Sequence, residues 1–242
     1  MKKHIPNALT LLNLLSGSIA VILAVNSNFV LAAFFVFLGI FFDFFDGFAA
    51  RKLNVSSALG LQLDSLADMV TSGLVPGIVM FKLLELTSPY ESFYGDSDAS
   101  DGFLFLPYIG LLITLASAYR LAKFNIDEEQ QEFFKGLPTP ANAMLILGLP
   151  LILELQNSDV VNALILNKWF LIGLTILSCY ILNANTKLFA LKFKNFGFKD
   201  NAIRYTFLIL SIVLIVVLKY IALPVIILMY ILMSVLNNIT SK

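Results

Sequence analysis

Residues 43–68 read DFFDGFAARKLNVSSALGLQLDSLAD, and this stretch decides how the rest of the chain is interpreted. It follows the spacing D-x2-D-G-x2-A-R-x8-G-x3-D-x3-D within otherwise apolar, helix-forming sequence. Its four acids are Asp43, Asp46, Asp64 and Asp68. Carboxylates in such surroundings cost several kcal/mol unless a partner compensates their charge. Their clustering therefore indicates a functional site.

The composition around this stretch is that of a membrane protein. The chain has 242 residues, of which 59% are hydrophobic and only 13% are charged, and its mean hydropathy is +0.87. That is more apolar surface than one globular core needs, so we expect an integral membrane protein. Cys179 is the single cysteine and cannot form an intramolecular disulfide. The formal net charge is zero and gives no indication of a nucleic-acid partner.

Apolar periodicity predicts an all-α fold of about eight transmembrane helices in a single membrane-embedded domain, 1–242. The first predicted helix resembles a signal peptide, but no A-x-A-like cleavage site follows it, so we expect it to be retained. The predicted spans are 6–25, 29–51, 58–86, 103–124, 140–156, 168–186, 203–220 and 222–239.

The distribution of cations predicts the orientation. If the N-terminus lies in the cytoplasm and the spans alternate, all 16 Lys and Arg residues except Lys82, Lys168 and Lys219 fall on the cytoplasmic side. This is the pattern of the positive-inside rule. We therefore expect a protein of the cell (inner) membrane whose acidic loop, Glu91 to Asp101, faces outward. The four acids would then lie at the cytoplasmic ends of spans two and three.

The spacing of the acids indicates a cation site. Each pair, three or four residues apart, shares one helical face, and two antiparallel helices can turn these faces toward each other. Converging carboxylates repel unless a divalent cation is present, and an all-oxygen site suits Mg²⁺, Mn²⁺ or Ca²⁺. Solvated helix ends or a helix dipole could explain either pair alone. Gly47 and Gly60, which permit close approach, and Arg51, which could reach a phosphate, favour a binding site.

The motif matches, at every fixed position, that of the CDP-alcohol phosphotransferases, which it therefore resembles. These membrane enzymes move a phosphatidyl or similar group from a CDP-linked donor to an alcohol. The resemblance implies a core of six helices within 1–186, a C-terminal helix pair at 203–239, CDP-diacylglycerol as donor, and Mg²⁺ or Mn²⁺, as two ions, as cofactor. The implied metal ligands are Asp43, Asp46, Asp64 and Asp68, with Asp68 also the general base, and the implied CDP contacts are Asn7, Thr10, Gly47, Arg51 and Ser57.

Two further segments bear on the acceptor alcohol. They are S-A-Y-R-L-A-K-F-N at 117–125 and F-K-G-L-P-T-P-A at 134–141, and they resemble the branch of the family that uses L-serine. A serine carboxylate needs a cationic partner, for which Arg120, Lys123 and Lys135 are the candidates, Arg120 first because its planar fork can bind a carboxylate bidentately. The alternative is that these cations only anchor a helix at the cytoplasmic interface.

Two other functions stay open at this point. Another acceptor, glycerol 3-phosphate or an inositol phosphate, would require a larger cationic pocket. A divalent-cation transporter also places aspartates in membrane helices, but its site is expected nearer the midplane, and transport does not require the G-x2-A-R element. The remaining expected partners are membrane lipids, and a homodimer is an expectation from the size of the protein alone.

Overall fold

A computed structural model describes residues 4–87, 105–126, 134–156, 158–189 and 197–240. Within these ranges the chain is almost entirely helical, and the acidic loop of residues 91–101 lies outside them. A short antiparallel pairing joins β1 (Phe134–Lys135) to β2 (Lys187–Leu188). The helices are α1 (His4–Val25), α2 (Phe29–Leu53), α3 (Ala58–Leu86), α4 (Leu106–Ile126), α5 (Thr139–Leu155), α6 (Asp159–Ile165), α7 (Lys168–Asn183), α8 (Phe198–Leu218) and α9 (Ala222–Thr240).

The helices confirm the predicted all-α integral membrane protein. Five helical segments are long and apolar enough to cross a membrane, or six if α6 and α7, bent by 63° at their junction, form one broken span. One of the five, Asn201–Ile239, has 39 residues. It changes direction at Lys219, whose φ is 51°, so that α8 and α9 pack against each other. Helix α5 is apolar but only 17 residues long. Each of the eight predicted spans thus has a helical counterpart.

Small residues bring α1 and α2 together as a tight antiparallel pair. Ala20 and Ala24 of α1 and Ala32 and Ala33 of α2 are fully or almost fully buried. Close approach of backbones through small side chains is the usual packing mode of membrane helices. Asn28 begins α2, because its side chain accepts a hydrogen bond from the Leu31 N–H. The predicted nucleotide contacts on α1 are thereby placed beside the acids of α2.

A four-residue connection reverses the chain between α2 and α3. Asn54 ends α2 in the left-handed region, with φ 52° and ψ 46°, a conformation that asparagine tolerates better than most residues. Ser57 begins α3, because its hydroxyl oxygen accepts a hydrogen bond from the Gly60 N–H at 3.0 Å. The short reversal places the last turns of α2 beside the first turns of α3.

The middle of α3 departs from α-helical geometry directly after Asp68. Residues Met69–Leu74 form a π-helix, in which Thr71, Ser72 and Gly73 are buried. Pro76 follows and has no N–H to donate to the preceding turn, so the regular hydrogen-bond ladder is interrupted there. Single π-helical turns inside α-helices often lie at functional sites. This one packs against α1, α2, α4 and α5.

The outer surface is apolar, as lipid contact requires. Large side chains such as Ile22, Phe44 and Val216 are more than 60% exposed, whereas exposed apolar surface of this extent is rare on soluble monomers.

Helix α9 is joined to the rest of the bundle, because it packs on α5 and the Tyr230 hydroxyl donates to the Phe189 carbonyl at 2.9 Å. The division into a core of 1–186 and a C-terminal pair stays a prediction.

Candidate active site

Three of the four acids form one cluster between α2 and α3. One carboxylate oxygen from each of Asp43, Asp46 and Asp64 lies within 4.8 Å of the others. Asp46 is buried, and the other two are partly exposed. Asp68 lies one turn further along α3, close enough to Asp43 and Asp64 for charge repulsion. The predicted convergence of the two helical faces is therefore observed, with Asp68 beside the group of three.

The chemistry of this donor set fits a divalent cation. All the donors are carboxylate oxygens, which hard cations such as Mg²⁺ and Mn²⁺ prefer. Across the described residues, no Lys or Arg forms an ion pair with any of these aspartates. Arg51 attracts Asp46 and Arg120 attracts Asp68 from beyond ion-pair distance, so the carboxylates still repel one another. One carboxylate oxygen of Asp43 and one of Asp64 lie within 4.8 Å of each other, and two ionised carboxylates this close repel each other unless a cation or a proton lies between them. The role of each acid as a metal ligand stays a prediction.

Helix α1 supplies a hydroxyl to the cluster. The Thr10 hydroxyl donates to Asp46 Oδ2 at 2.5 Å, and the Pro6 carbonyl, 3.1 Å away, is the alternative acceptor for the same proton. Thr10 is 3% exposed, so this contact orients Asp46 from the buried side. The sequence predicted Thr10 only as a nucleotide contact.

A cleft opens beside the acids at the same end of the bundle. Its empty volume is about 590 Å³. The five residues predicted to contact CDP all line it, so the structure brings them together, although their roles stay predictions. The lining residues are Pro6, Asn7, Thr10, Asp46, Gly47, Ala50, Arg51, Val55, Ser56, Ser57, Gly60, Leu61 and Asp64.

Of the three predicted acceptor contacts, Arg120 is buried near the acids. It is 8% exposed on α4, it interacts electrostatically with Asp68, and its Nε has no hydrogen-bond partner among the described residues. Lys123 is partly exposed on the same helix. Lys135 lies in β1, in register with Lys187 of β2. The positions of Lys123 and Lys135 do not test their predicted roles.

Asn13 is a site residue that sequence reasoning missed. It is fully buried on α1, and its Nδ2 donates to Asp68 Oδ1 at 3.2 Å. In the sequence, Asn13 is a polar residue that interrupts an otherwise apolar helix. The available signal was the repeat Asn7, Thr10, Asn13, because residues three apart lie on neighbouring positions of one helical face.

Comparisons with known proteins identify the family of this chain. The family model described as CDP-alcohol phosphatidyltransferase matches residues 3–181, which include every acid of the cluster and Arg120. A Bacillus subtilis protein named CDP-diacylglycerol--serine O-phosphatidyltransferase is 35% identical over 148 residues, 60% of this chain and 73% of the relative. A Methanocaldococcus jannaschii protein of the same name is 31% identical over 174 residues, 72% of this chain and 71% of the relative.

A third relative has a different lipid in its name. A Methanothermobacter thermautotrophicus protein named archaetidylserine synthase is 29% identical over 144 residues, 59% of this chain and 55% of the relative. The family match covers about three quarters of the chain and ends within α7. Together with the acids, the cleft and the membrane helices, it establishes the class of the protein. The chain belongs to the CDP-alcohol phosphatidyltransferase family, and it is a membrane enzyme of that family.

Proposed function

We propose that this enzyme transfers the phosphatidyl group of CDP-diacylglycerol to the hydroxyl of L-serine and releases CMP. The observation that carries the choice of acceptor is Arg120. A buried guanidinium is stable only with anionic or hydrogen-bonding partners, and no described carboxylate lies within ion-pair distance of it. A serine carboxylate would supply that partner beside Asp68. The relatives' names favour serine over glycerol 3-phosphate or an inositol phosphate, and the family argues against a cation transporter.

The cleft is the proposed site of the CDP moiety. Arg51 is an exposed cation at the end of α2, where a guanidinium can bind phosphate oxygens. The first turn of α3 also lines the cleft. Helix N-termini favour anions through their free N–H groups and the helix dipole. Asn7 and Ser57 supply polar side chains to the same lining. Arg51 and the α3 N-terminus thus suit a nucleotide pyrophosphate.

The proposed chemistry is one displacement at phosphorus. The serine hydroxyl oxygen forms a bond to the β-phosphorus of CDP-diacylglycerol, the bond from that phosphorus to the oxygen of CMP breaks, and Asp68 accepts the hydroxyl proton. A hydroxyl is a weak nucleophile at neutral pH, which is why a positioned carboxylate accelerates the step. Divalent cations held by Asp43, Asp46 and Asp64 would neutralise charge on the phosphates. Arg120 would orient the acceptor by its carboxylate.

The proposed setting is the cytoplasmic face of the cell membrane. The distribution of Lys and Arg supports it, because the end of the bundle with the cleft also contains Arg51 and Lys52. Serine and CMP are water-soluble, whereas the donor and product are lipids, so a site at the membrane edge is accessible to both. Homodimerisation stays a prediction from size.

An acceptor panel tests the proposed function. Purified protein is incubated with CDP-diacylglycerol, Mg²⁺ or Mn²⁺, and either L-serine, glycerol 3-phosphate or an inositol phosphate, and CMP release is measured. We expect CMP release that depends on serine and a lipid product with the mass of phosphatidylserine. CMP release that depends on one of the phosphorylated alcohols instead, with serine inactive, would overturn the choice of acceptor but not the family.

Substitution of Arg120 tests the acceptor site. We expect Arg120→Ala to raise the KM for serine by about 10–100-fold, because a charge-assisted hydrogen bond contributes about 1.5–3 kcal/mol. Arg120→Lys should raise the KM for serine less than Arg120→Ala does, because lysine keeps the charge but lacks the bidentate fork. Steady-state kinetics with each substrate varied gives both KM values, and Lys82→Ala, which removes a cation paired with Glu85, is the control. An equal rise in the KM for CDP-diacylglycerol would indicate a structural role instead.

Substitution of Gly60 tests the donor cleft. A Cβ at Gly60 would lie 3.2 Å from Ser57 Oγ and 3.4 Å from Asn7 Oδ1, so it would crowd the lining. We expect Gly60→Ala to raise the KM for CDP-diacylglycerol at least about fivefold, since overpacking costs about 1–3 kcal/mol, with little change in the KM for serine. The matched control is Gly173→Ala on α7, where a Cβ meets nothing within 4 Å. An unchanged KM for CDP-diacylglycerol in Gly60→Ala would contradict the assignment of this cleft as the nucleotide site.

A further inference from the structure

Asn13 connects α1 to the acid that the proposed reaction uses as its base. Its side chain is fully buried, and its Nδ2 donates to Asp68 Oδ1 at 3.2 Å. An ionised carboxylate only accepts hydrogen bonds, so the amide nitrogen, not the amide oxygen, must face Asp68. Across the described residues, this is the protein hydrogen bond that the Asp68 side chain receives. It engages one oxygen of the carboxylate.

Asn13 is itself held in place from two sides. The main-chain carbonyl of Asn13 accepts a hydrogen bond from Thr71 Oγ1 at 3.2 Å. Thr71 belongs to the π-helix that begins directly after Asp68. On the other side lies Gly39 of α2, where a Cβ would be 2.8 Å from Asn13 Oδ1 and 2.7 Å from the Thr71 methyl group. The absence of a side chain at Gly39 therefore leaves room for the Asn13 amide.

Burying the Asn13 side chain costs folding free energy, and packing alone gives no reason for an amide at this position. Its Oδ1 is buried and has no hydrogen-bond partner in the part of the chain that the structure describes. An unpaired buried amide oxygen destabilises a fold, and an aliphatic side chain of similar size would avoid that cost. What such a side chain could not do is donate a hydrogen bond to Asp68. The hydrogen bond that the amide donates thus supports a function at the carboxylate.

We propose that Asn13 is a positioning residue for Asp68, which rests on the proposed function in which Asp68 accepts the proton of the acceptor hydroxyl. By donating to Oδ1, Asn13 restricts rotation of the carboxylate and leaves Oδ2 free to accept that proton. Proton transfer requires heavy atoms within hydrogen-bond reach in a defined geometry, and misplacement of a catalytic group lowers turnover more than substrate binding. Asn13 acts on turnover through Asp68.

Kinetics of Asn13 variants test this role. We expect Asn13→Ala to lower kcat by about 10–100-fold with the KM for serine and for CDP-diacylglycerol within about twofold of wild type. Asn13→Asp, which keeps the shape but cannot donate when ionised, should lower kcat at least as much. Asn26→Ala is the matched control, because Asn26 lies just after α1 and its side chain donates to the Ile22 carbonyl, away from the acids. CMP binding and Mn²⁺ binding, measured without turnover, should be unchanged in Asn13→Ala.

A double-mutant cycle separates positioning from general damage. If Asn13 acts through Asp68, Asn13→Ala should have less than about a twofold effect in the Asp68→Asn background, because the group it orients has been removed. An equal effect in both backgrounds, or a wild-type kcat in Asn13→Ala, would overturn the inference. If thermal unfolding shows that Asn13→Ala does not fold, the isosteric Asn13→Asp replaces it in the same cycle with Asp68→Asn, and the same comparison of kcat values tests the inference. Failure of the proposed function is distinguishable, because then the wild-type enzyme would not release CMP with serine.

Discussion

Replacing Asp68 with asparagine is expected to lower kcat by about 10²–10⁴-fold, the range that a positioned general base contributes. Asparagine has nearly the same shape but cannot accept a proton at neutral pH. The effect should fall on kcat and kcat/KM together, because proton acceptance occurs only in the transition state. The measurement is CMP release in the presence of serine over long incubation. Binding of CDP-diacylglycerol should persist, because Asp68 does not line the nucleotide cleft.

The control for Asp68→Asn is another acid on the same helix. Glu85 lies near the end of α3, where its carboxylate accepts a hydrogen bond from Lys82 at 2.7 Å. Glu85→Gln should retain kcat within about twofold, because surface pairs of this kind contribute about 0–1 kcal/mol. A small effect of Asp68→Asn, equal to that of Glu85→Gln, would contradict the assignment of Asp68 as the base.

Removing the divalent cation is expected to abolish activity and to lower the thermal stability of the enzyme, because the acids then repel one another. Chelator-treated enzyme should release no CMP, and added Mg²⁺ or Mn²⁺ should restore release. Asp64→Asn should weaken Mn²⁺ binding by at least about 100-fold, which corresponds to roughly 2.8 kcal/mol, because Asp64 belongs to the group of three oxygens that share one site. Binding is measured directly by electron paramagnetic resonance of free Mn²⁺.

Thermal unfolding gives a second readout for the metal that does not depend on turnover. In the metal-free enzyme, Asp64→Asn should raise the melting temperature, because it removes a charge that repels Asp43 and Asp46. With Mn²⁺ present, the wild-type enzyme should gain stability by binding, and Asp64→Asn should gain less. A metal-free Asp64→Asn protein less stable than wild type, with Mn²⁺ affinity unchanged, would contradict a cation site at these acids.

The sequence predicted the parts of this site that depend on local spacing. Helical pairs at three and four residues, a short gap between the predicted spans 29–51 and 58–86, and long apolar runs are local patterns, so the reversal of the chain and the facing acids could be predicted. The same spacing indicated close approach at Gly60 and a phosphate contact at Arg51, and both residues line the cleft. These features depend on helical periodicity and turn chemistry, which residues near one another in the chain determine.

Contacts between distant residues could not be predicted in this way. The bond from Asn13 to Asp68 joins residues 55 positions apart, and it exists because α1 packs beside the π-helix of α3, a geometry that no local pattern encodes. The same holds for Thr10, whose hydroxyl reaches Asp46, 36 positions away. The π-helix itself had no sequence signal beyond Pro76.

The stereochemistry at phosphorus tests most directly the central claim that one site joins donor and acceptor in a single displacement. The substrate is CDP-diacylglycerol made chiral at the β-phosphorus by isotopic or sulfur substitution, and the configuration of the phosphatidylserine product is determined. A single in-line attack by the serine hydroxyl must invert the configuration, and inversion is the result we predict. Retention would require two displacements through an enzyme-bound intermediate and would contradict the account.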